Sequence, residues 1–130
     1  MFVLDTNTLI YFFKGMGGVA ERLLATPPAE IGVPTIVLFE LEVGIAKSAS
    51  PSRRRTQLDV MTGLVRILSF GLDQAMASAR VRAGLERAGS PIGPMDTLIA
   101  GTALSHGAVL VSRNVSEFER VHDLRVENWF

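Results

Sequence analysis

Residues 1–10 read MFVLDTNTLI. Residues 2–4 are a short apolar run of the kind that builds a buried strand. The run ends in a carboxylate, Asp5, and Thr6, Asn7 and Thr8 follow with no Gly or Pro between. Leu9 and Ile10 resume the apolar pattern, which lasts to Lys14 before Gly15, Gly17 and Gly18 stop it. The stretch predicts a strand that passes into a helix at Asn7 or Thr8 without a separate turn. An acid at such a junction caps a helix, lies idle as a surface charge, or ligates a metal.

The alternation continues along the chain. Apolar and β-branched runs predict further strands over 31–33, 65–70, 108–111 and 124–126. Helices are expected over 19–25, 34–47, 52–63, 73–88, 94–105 and 115–120. Thr35 is the expected cap of the 34–47 helix, while Gly89 and Gly107 stand as stops after 73–88 and 94–105. Strands alternating with helices imply an α/β fold, with a parallel sheet of four to five short strands covered on both faces.

Bulk properties narrow the function. The 130 residues suit a single domain over 1–130, and 48% hydrophobic against 20% charged residues describes a chain with a real core. Thirteen basic and thirteen acidic residues cancel, so any polyanion must be met by a local patch rather than by overall charge. The absence of cysteine excludes disulfides, thiolate zinc sites and cysteine nucleophiles, and fits a reducing cytoplasm. No stretch reaches the ~20 apolar residues of a membrane helix, and Asp5 interrupts the leading apolar run of any export signal. Residues 48–52 and the basic run Arg53, Arg54, Arg55 read as a helix–helix connection.

In a parallel α/β sheet, ligands gather beyond the carboxyl ends of the strands. Asp5 lies at one such end, and Ser112, Arg113 and Asn114 lie at another. Asp96, in GPMDTLIAGTAL, falls in the first turn of an otherwise apolar helix. It shares a face with Ile99, Ala100 and Ala103, so it points inward or into a groove. The plainer reading of Asp96 is complementarity to the helix dipole. Gly101 and the alanines around it predict close packing of that helix.

Glu40 and Glu42 lie in TIVLFELEVGI. Residues two apart on a helix point about 200° from each other, so one of them at most faces a shared site. Glu40 shares its face with Val37, Val43 and Gly44, and a mid-helix glycine predicts close backbone approach. Glu42 is expected to be an ordinary surface charge. Carboxylates drawn together repel, by about 4 kcal/mol at 4 Å for an effective dielectric near 20. A hard divalent cation relieves this, and carboxylates with only two histidines suit Mg²⁺, or Mn²⁺, better than zinc. His106 and His122 are expected to be bystanders.

In this order the motifs resemble PIN-domain ribonucleases: a strand delivering Asp-Thr-Asn, a Glu-Leu-x-x-Gly helix in FELEVG, and the Asp-bearing helix IGPMDTLIAGTAL. VLVSRNVSEFERVHDLRVENW resembles the C-terminal signature of the VapC-type toxins of bacterial type II toxin–antitoxin modules. The resemblance covers essentially the whole chain. It implies a PIN-like three-layer α/β/α sandwich and metal-dependent hydrolysis of RNA phosphodiesters. Asp5, Glu40 and Asp96 match the family's metal-binding acids. Thr6 and Ser112 would be hydroxyl supports, and Asn7 an outer support or helix cap. Asn114 takes the place of a frequent fourth acid, with Glu117 or Glu119 nearby to stand in. Arg113 is the foremost RNA contact among Arg53, Arg54, Arg55, Arg80, Arg82, Arg87 and Arg113.

The resemblance also implies a cytoplasmic homodimer without membrane association, held inactive in a larger complex with a VapB-type antitoxin. Tyr11, Phe12, Phe13 and Phe39 are candidates for such interfaces, with core packing as the alternative. Two other functions compete. Aspartyl-phosphate chemistry needs a second acid two residues after Asp5, where this chain has Asn7. A PIN-fold RNA-binding or scaffold module with weak catalysis is the remaining alternative.

Overall fold

A wholly apolar strand of three residues is expected between neighbours on both sides. The computed structural model, which describes residues 1–130, supplies them. Strand β1 (Phe2–Leu4) lies between β2 (Ile31–Pro34) and β4 (Val109–Val111), with β3 (Arg66–Leu68) beyond β2 and β5 (Val126–Glu127) beyond β4. All four pairings are parallel, giving the order β3-β2-β1-β4-β5. In register, Leu4 sits opposite Val111, and Val3 is flanked by Leu110 and Gly32. Val3, Leu4, Leu110 and Val111 are wholly buried, which explains why these strands are apolar rather than alternating. Gly32 is needed at its position: a Cβ there would come 2.7 Å from Leu68 Cδ1.

Helices flank the sheet: α1 (Thr6–Lys14), α2 (Val19–Leu24), α3 (Thr35–Ala46), α4 (Pro51–Leu64), α5 (Leu72–Arg87), α6 (Pro94–Ser105) and α7 (Val115–Phe118). A 3₁₀ turn, Pro28–Glu30, leads into β2. The chain moves outward from β1 through β2 to β3, then returns past β1 to β4. The strand order therefore reverses between β1 and β4, and the crevice above their carboxyl ends is the natural binding place. Helices α5 and α6 form the tightest helix pair. A Cβ on Gly101 would lie 2.0 Å from the Ser78 hydroxyl and 2.6 Å from its Cα, so only glycine permits this crossing. No helix is long and apolar enough to cross a membrane.

Several local expectations are corrected. Helix α1 begins at Thr6, because Asp5 itself caps it. Thr35 does not cap α3: Pro34 precedes the helix, pairs in β2, and leaves no side-chain cap. Pro51 is the first residue of α4 rather than its preface, as suits a residue without an N–H to satisfy. The strand expected over 124–126 pairs only from Val126 to Glu127. Gly44 is exposed with open space beside it, so no backbone approaches there. Tyr11, Phe12 and Phe13 are half-buried, and the last two pack on the core, whereas Phe39 is 57% exposed.

Candidate active site

The switch point is built by β1 and β4 together. The Asp5 N–H donates to the Val111 carbonyl at 3.2 Å and so extends the β1–β4 ladder by one step. Asp5 then turns the chain. Its carboxylate accepts the Thr8 N–H at 2.9 Å, capping α1. The Thr8 hydroxyl donates to the Val111 carbonyl at 3.1 Å, which ties the start of α1 to the end of β4. Asp5 is 5% exposed. Burial pushes its carboxyl above the usual range, and the Ser112 hydroxyl and Thr8 N–H partly offset this by favouring the charged form.

Each further acid arrives on its own element. Asp96 stands in the first turn of α6, where Pro94 fixes the entry and Thr97 bonds back to the Gly93 carbonyl. The Asp96 carboxyl is half-buried and pushed up to about 6, first by burial and then by the charges of Asp5, Glu117 and Glu40. Those influences bring four acids from four elements into one electrostatic neighbourhood. Glu40 is held by the Thr6 hydroxyl, which donates to Oε1 at 2.5 Å. Glu117 accepts from the Asn114 side-chain amide at 2.8 Å, and the Asn114 N–H donates to the Ser112 hydroxyl at 3.0 Å. No arginine or lysine pairs with any of the four.

The sequence candidates thus separate. Asp5, Glu40, Asp96 and Glu117 gather at the switch point, with Thr6, Ser112 and Asn114 bonded around them. Glu117 is the further acid that lies near Asp96, and the Asn114 side chain donates to it; Glu119 is exposed. Glu42 is an exposed partner of Arg55. His106 ends α6, and His122 is exposed. Asn7 is exposed and makes no side-chain hydrogen bond, so Asp5, not Asn7, is the cap. Arg113 lays its guanidinium 3.6 Å from the centre of the Phe130 ring and 5.6 Å from that of Tyr11. Thr8 is the residue the sequence did not single out. Its place three residues after an acidic cap was the available signal.

No three of these carboxylates converge closely enough to ligate one ion directly. The donor set is nevertheless all hard oxygen, unpaired with any base and mutually repelling. That chemistry fits a hydrated Mg²⁺ or Mn²⁺, which keeps several waters and takes few direct protein ligands.

Comparison with known proteins identifies the family. The PIN domain family profile matches residues 2–124. The tRNA(fMet)-specific endonuclease VapC of Salmonella typhimurium is 34% identical over 98% of this chain and 97% of that protein. The crystal structure of VapBC2 from Rickettsia felis, bound to a promoter DNA fragment, superposes with a TM-score of 0.92 at 31% identity, covering 99% of this chain and 98% of that one. DNA-bound VapBC from Salmonella typhimurium gives 0.92 at 35%, over 99% and 98%. The chain belongs to the PIN domain family, among the VapC ribonucleases.

Proposed function

We propose that this chain is the toxin of a type II toxin–antitoxin pair and hydrolyses RNA phosphodiester bonds with the help of Mg²⁺, Mn²⁺ serving as a substitute. The observation that carries this reading is the set of four unpaired acids at the β1–β4 switch point. Asp5, Asp96 and Glu40 would hold the cation, in part through its bound waters, with Glu117 contributing a ligand or orienting a bound water. When bound, a divalent cation lowers the pKa of a water and neutralises charge building on the phosphate. Thr6 keeps Glu40 turned toward the site, Ser112 supports Asp5, and Asn114 positions Glu117. Arg113, braced on Phe130, lends positive charge at the rim for the RNA. Asn7 offers no acid for aspartyl-phosphate chemistry, and Glu40, Asp96 and Glu117, which cap no helix, speak against a scaffold without catalysis.

Because related structures hold VapB with VapC, the proposed partner is a VapB-type antitoxin, on a homodimer of this chain acting in the cytoplasm. Transfer RNA is the first substrate to test, given what the Salmonella relative is named for. Purified protein should cleave it with Mg²⁺, lose activity in EDTA, and lose it again in Asp5→Asn and Asp96→Asn. Cleavage undiminished in both variants would sink the proposal.

A further inference from the structure

A second feature lies outside the acidic site. A groove of about 720 Å³ runs along α5 against the segment after α7. Its walls carry Arg80, Arg87 and Arg120. None of the three has a carboxylate within ion-pair distance, although the chain has as many acids as bases. Arg82, on another face of the same helix, is paired with Glu86 at 2.8 Å. Arg80 and Arg87 are two helical turns apart on one face, roughly 10 Å along the axis. Between them Gly84 leaves open space above the floor. The acids of the groove are Asp73, at the other end of α5 from Arg87, and Asp123, which lies 3.5 Å from His122.

The groove's basic end adjoins the candidate active site. The Arg120 N–H donates to the Glu117 carbonyl at 3.1 Å, and the Arg120 guanidinium donates to the Pro91 carbonyl at 3.2 Å. Glu117 belongs to the acid cluster, and Pro91 lies in the link from α5 to α6 that delivers Asp96. A chain crossing the acids can therefore continue past Arg120 onto α5. Unpaired guanidiniums along an open track suit the phosphates of a nucleic-acid strand, since each contact releases condensed counterions.

We propose that the α5 groove is a phosphate track for RNA flanking the scissile bond, read by Arg80, Arg87 and Arg120. This rests on the ribonuclease reading above. The test is equilibrium binding of the full chain, in EDTA, to a fluorescein-labelled single-stranded RNA, followed by anisotropy across a salt series. Replacing all three arginines by glutamine should flatten the slope of log affinity against log salt by about 2, at about 0.7 per phosphate contact on a single strand, and weaken binding roughly 10- to 100-fold near 0.1 M salt. Arg80→Gln and Arg87→Gln alone, which leave the Arg120 contacts intact, should each flatten it by about 0.7. Arg82→Gln removes the same charge from the same helix and should leave the slope unchanged. An unchanged slope in the triple variant overturns the track, including the case where the groove takes an acidic polypeptide instead. Cleavage of transfer RNA with Mg²⁺ is scored separately. Groove-dependent binding without cleavage supports the track and removes the nuclease reading; cleavage with an unchanged slope removes the track alone.

Discussion

Asp96→Asn should stabilise the metal-free protein near pH 7.5. In the fold, burial and then the charges of Asp5, Glu117 and Glu40 raise this carboxyl from 3.8 to about 6. Below pH 3.8 the folded and unfolded chains both hold the proton and nothing is lost. Between the two values the unfolded chain has released it while the folded chain retains it, so stability falls as pH rises. Above about 6 the full penalty stands. At about 1.4 kcal/mol per pK unit the rise corresponds to roughly 3 kcal/mol. Asp96 is only half-buried, and screening by solvent reduces this to about 1–1.5 kcal/mol. Asparagine carries no charge at any pH, and Asp96 makes no side-chain hydrogen bond that the change would break. For a chain of this length the gain is a Tm higher by about 4–5 °C. The assay is a series of thermal melts of parent and variant in EDTA from about pH 4 to 8. The two should coincide at the acid end and separate through the range 4 to 6. A variant less stable near pH 7.5, or a gap independent of pH, would refute the electrostatic account of the site.

Other outcomes follow from the same geometry. Adding Mg²⁺ should raise the parent's Tm near pH 7.5, and the effect should fade as pH drops through about 6, where the ion must displace the Asp96 proton; calorimetric titration in two buffers of different ionisation enthalpy should detect that proton. Thr6→Val should release Glu40 and lower RNA cleavage by about 10- to 100-fold, with Thr6→Ser retaining most of it. Gly101→Ala should destabilise the fold by about 1–3 kcal/mol or more in urea titrations, because the new methyl meets the Ser78 backbone as well as its hydroxyl. Ser78→Ala should cost little, since the buried Ser78 hydroxyl has no hydrogen-bond partner, and it should not rescue Gly101→Ala.

The strands and the gathering of acids were legible because their signals are local and periodic. Apolar runs at 2–4 and 108–111 marked the central strands, and the parallel α/β rule then placed Asp5 beside Ser112 before any distance was known. The helical face of Asp96 pointed it inward or into a groove, beside Ile99, Ala100 and Ala103, which are all wholly buried; its role as a site acid came from the resemblance. What escaped depends on contacts between distant parts. Glycine within a helix signals either close packing or mere tolerance: Gly101 is the first and Gly44 the second. Only the placement of α3 and α5 separates them. Asn114 alone does not reveal that it holds Glu117. Nor does the order Thr6-Asn7-Thr8 disclose that the two threonines bond to different elements while Asn7 faces solvent.

Asp5 does two tasks with one side chain: its carboxylate caps α1 and also stands among the site acids. An N-cap acid is worth about 1 kcal/mol to its helix, and asparagine serves equally well in that position. Asp5→Asn therefore removes charge and keeps the fold, whereas Asp5→Ala confounds the two. The same overlap bears on descent. In a lineage that gave up nuclease activity, folding alone would still favour Asp or Asn at position 5. Persistence of that residue is thus poor testimony for an active enzyme. Asp96 is the better witness, because burial and the neighbouring acids oppose its charge and it caps no helix.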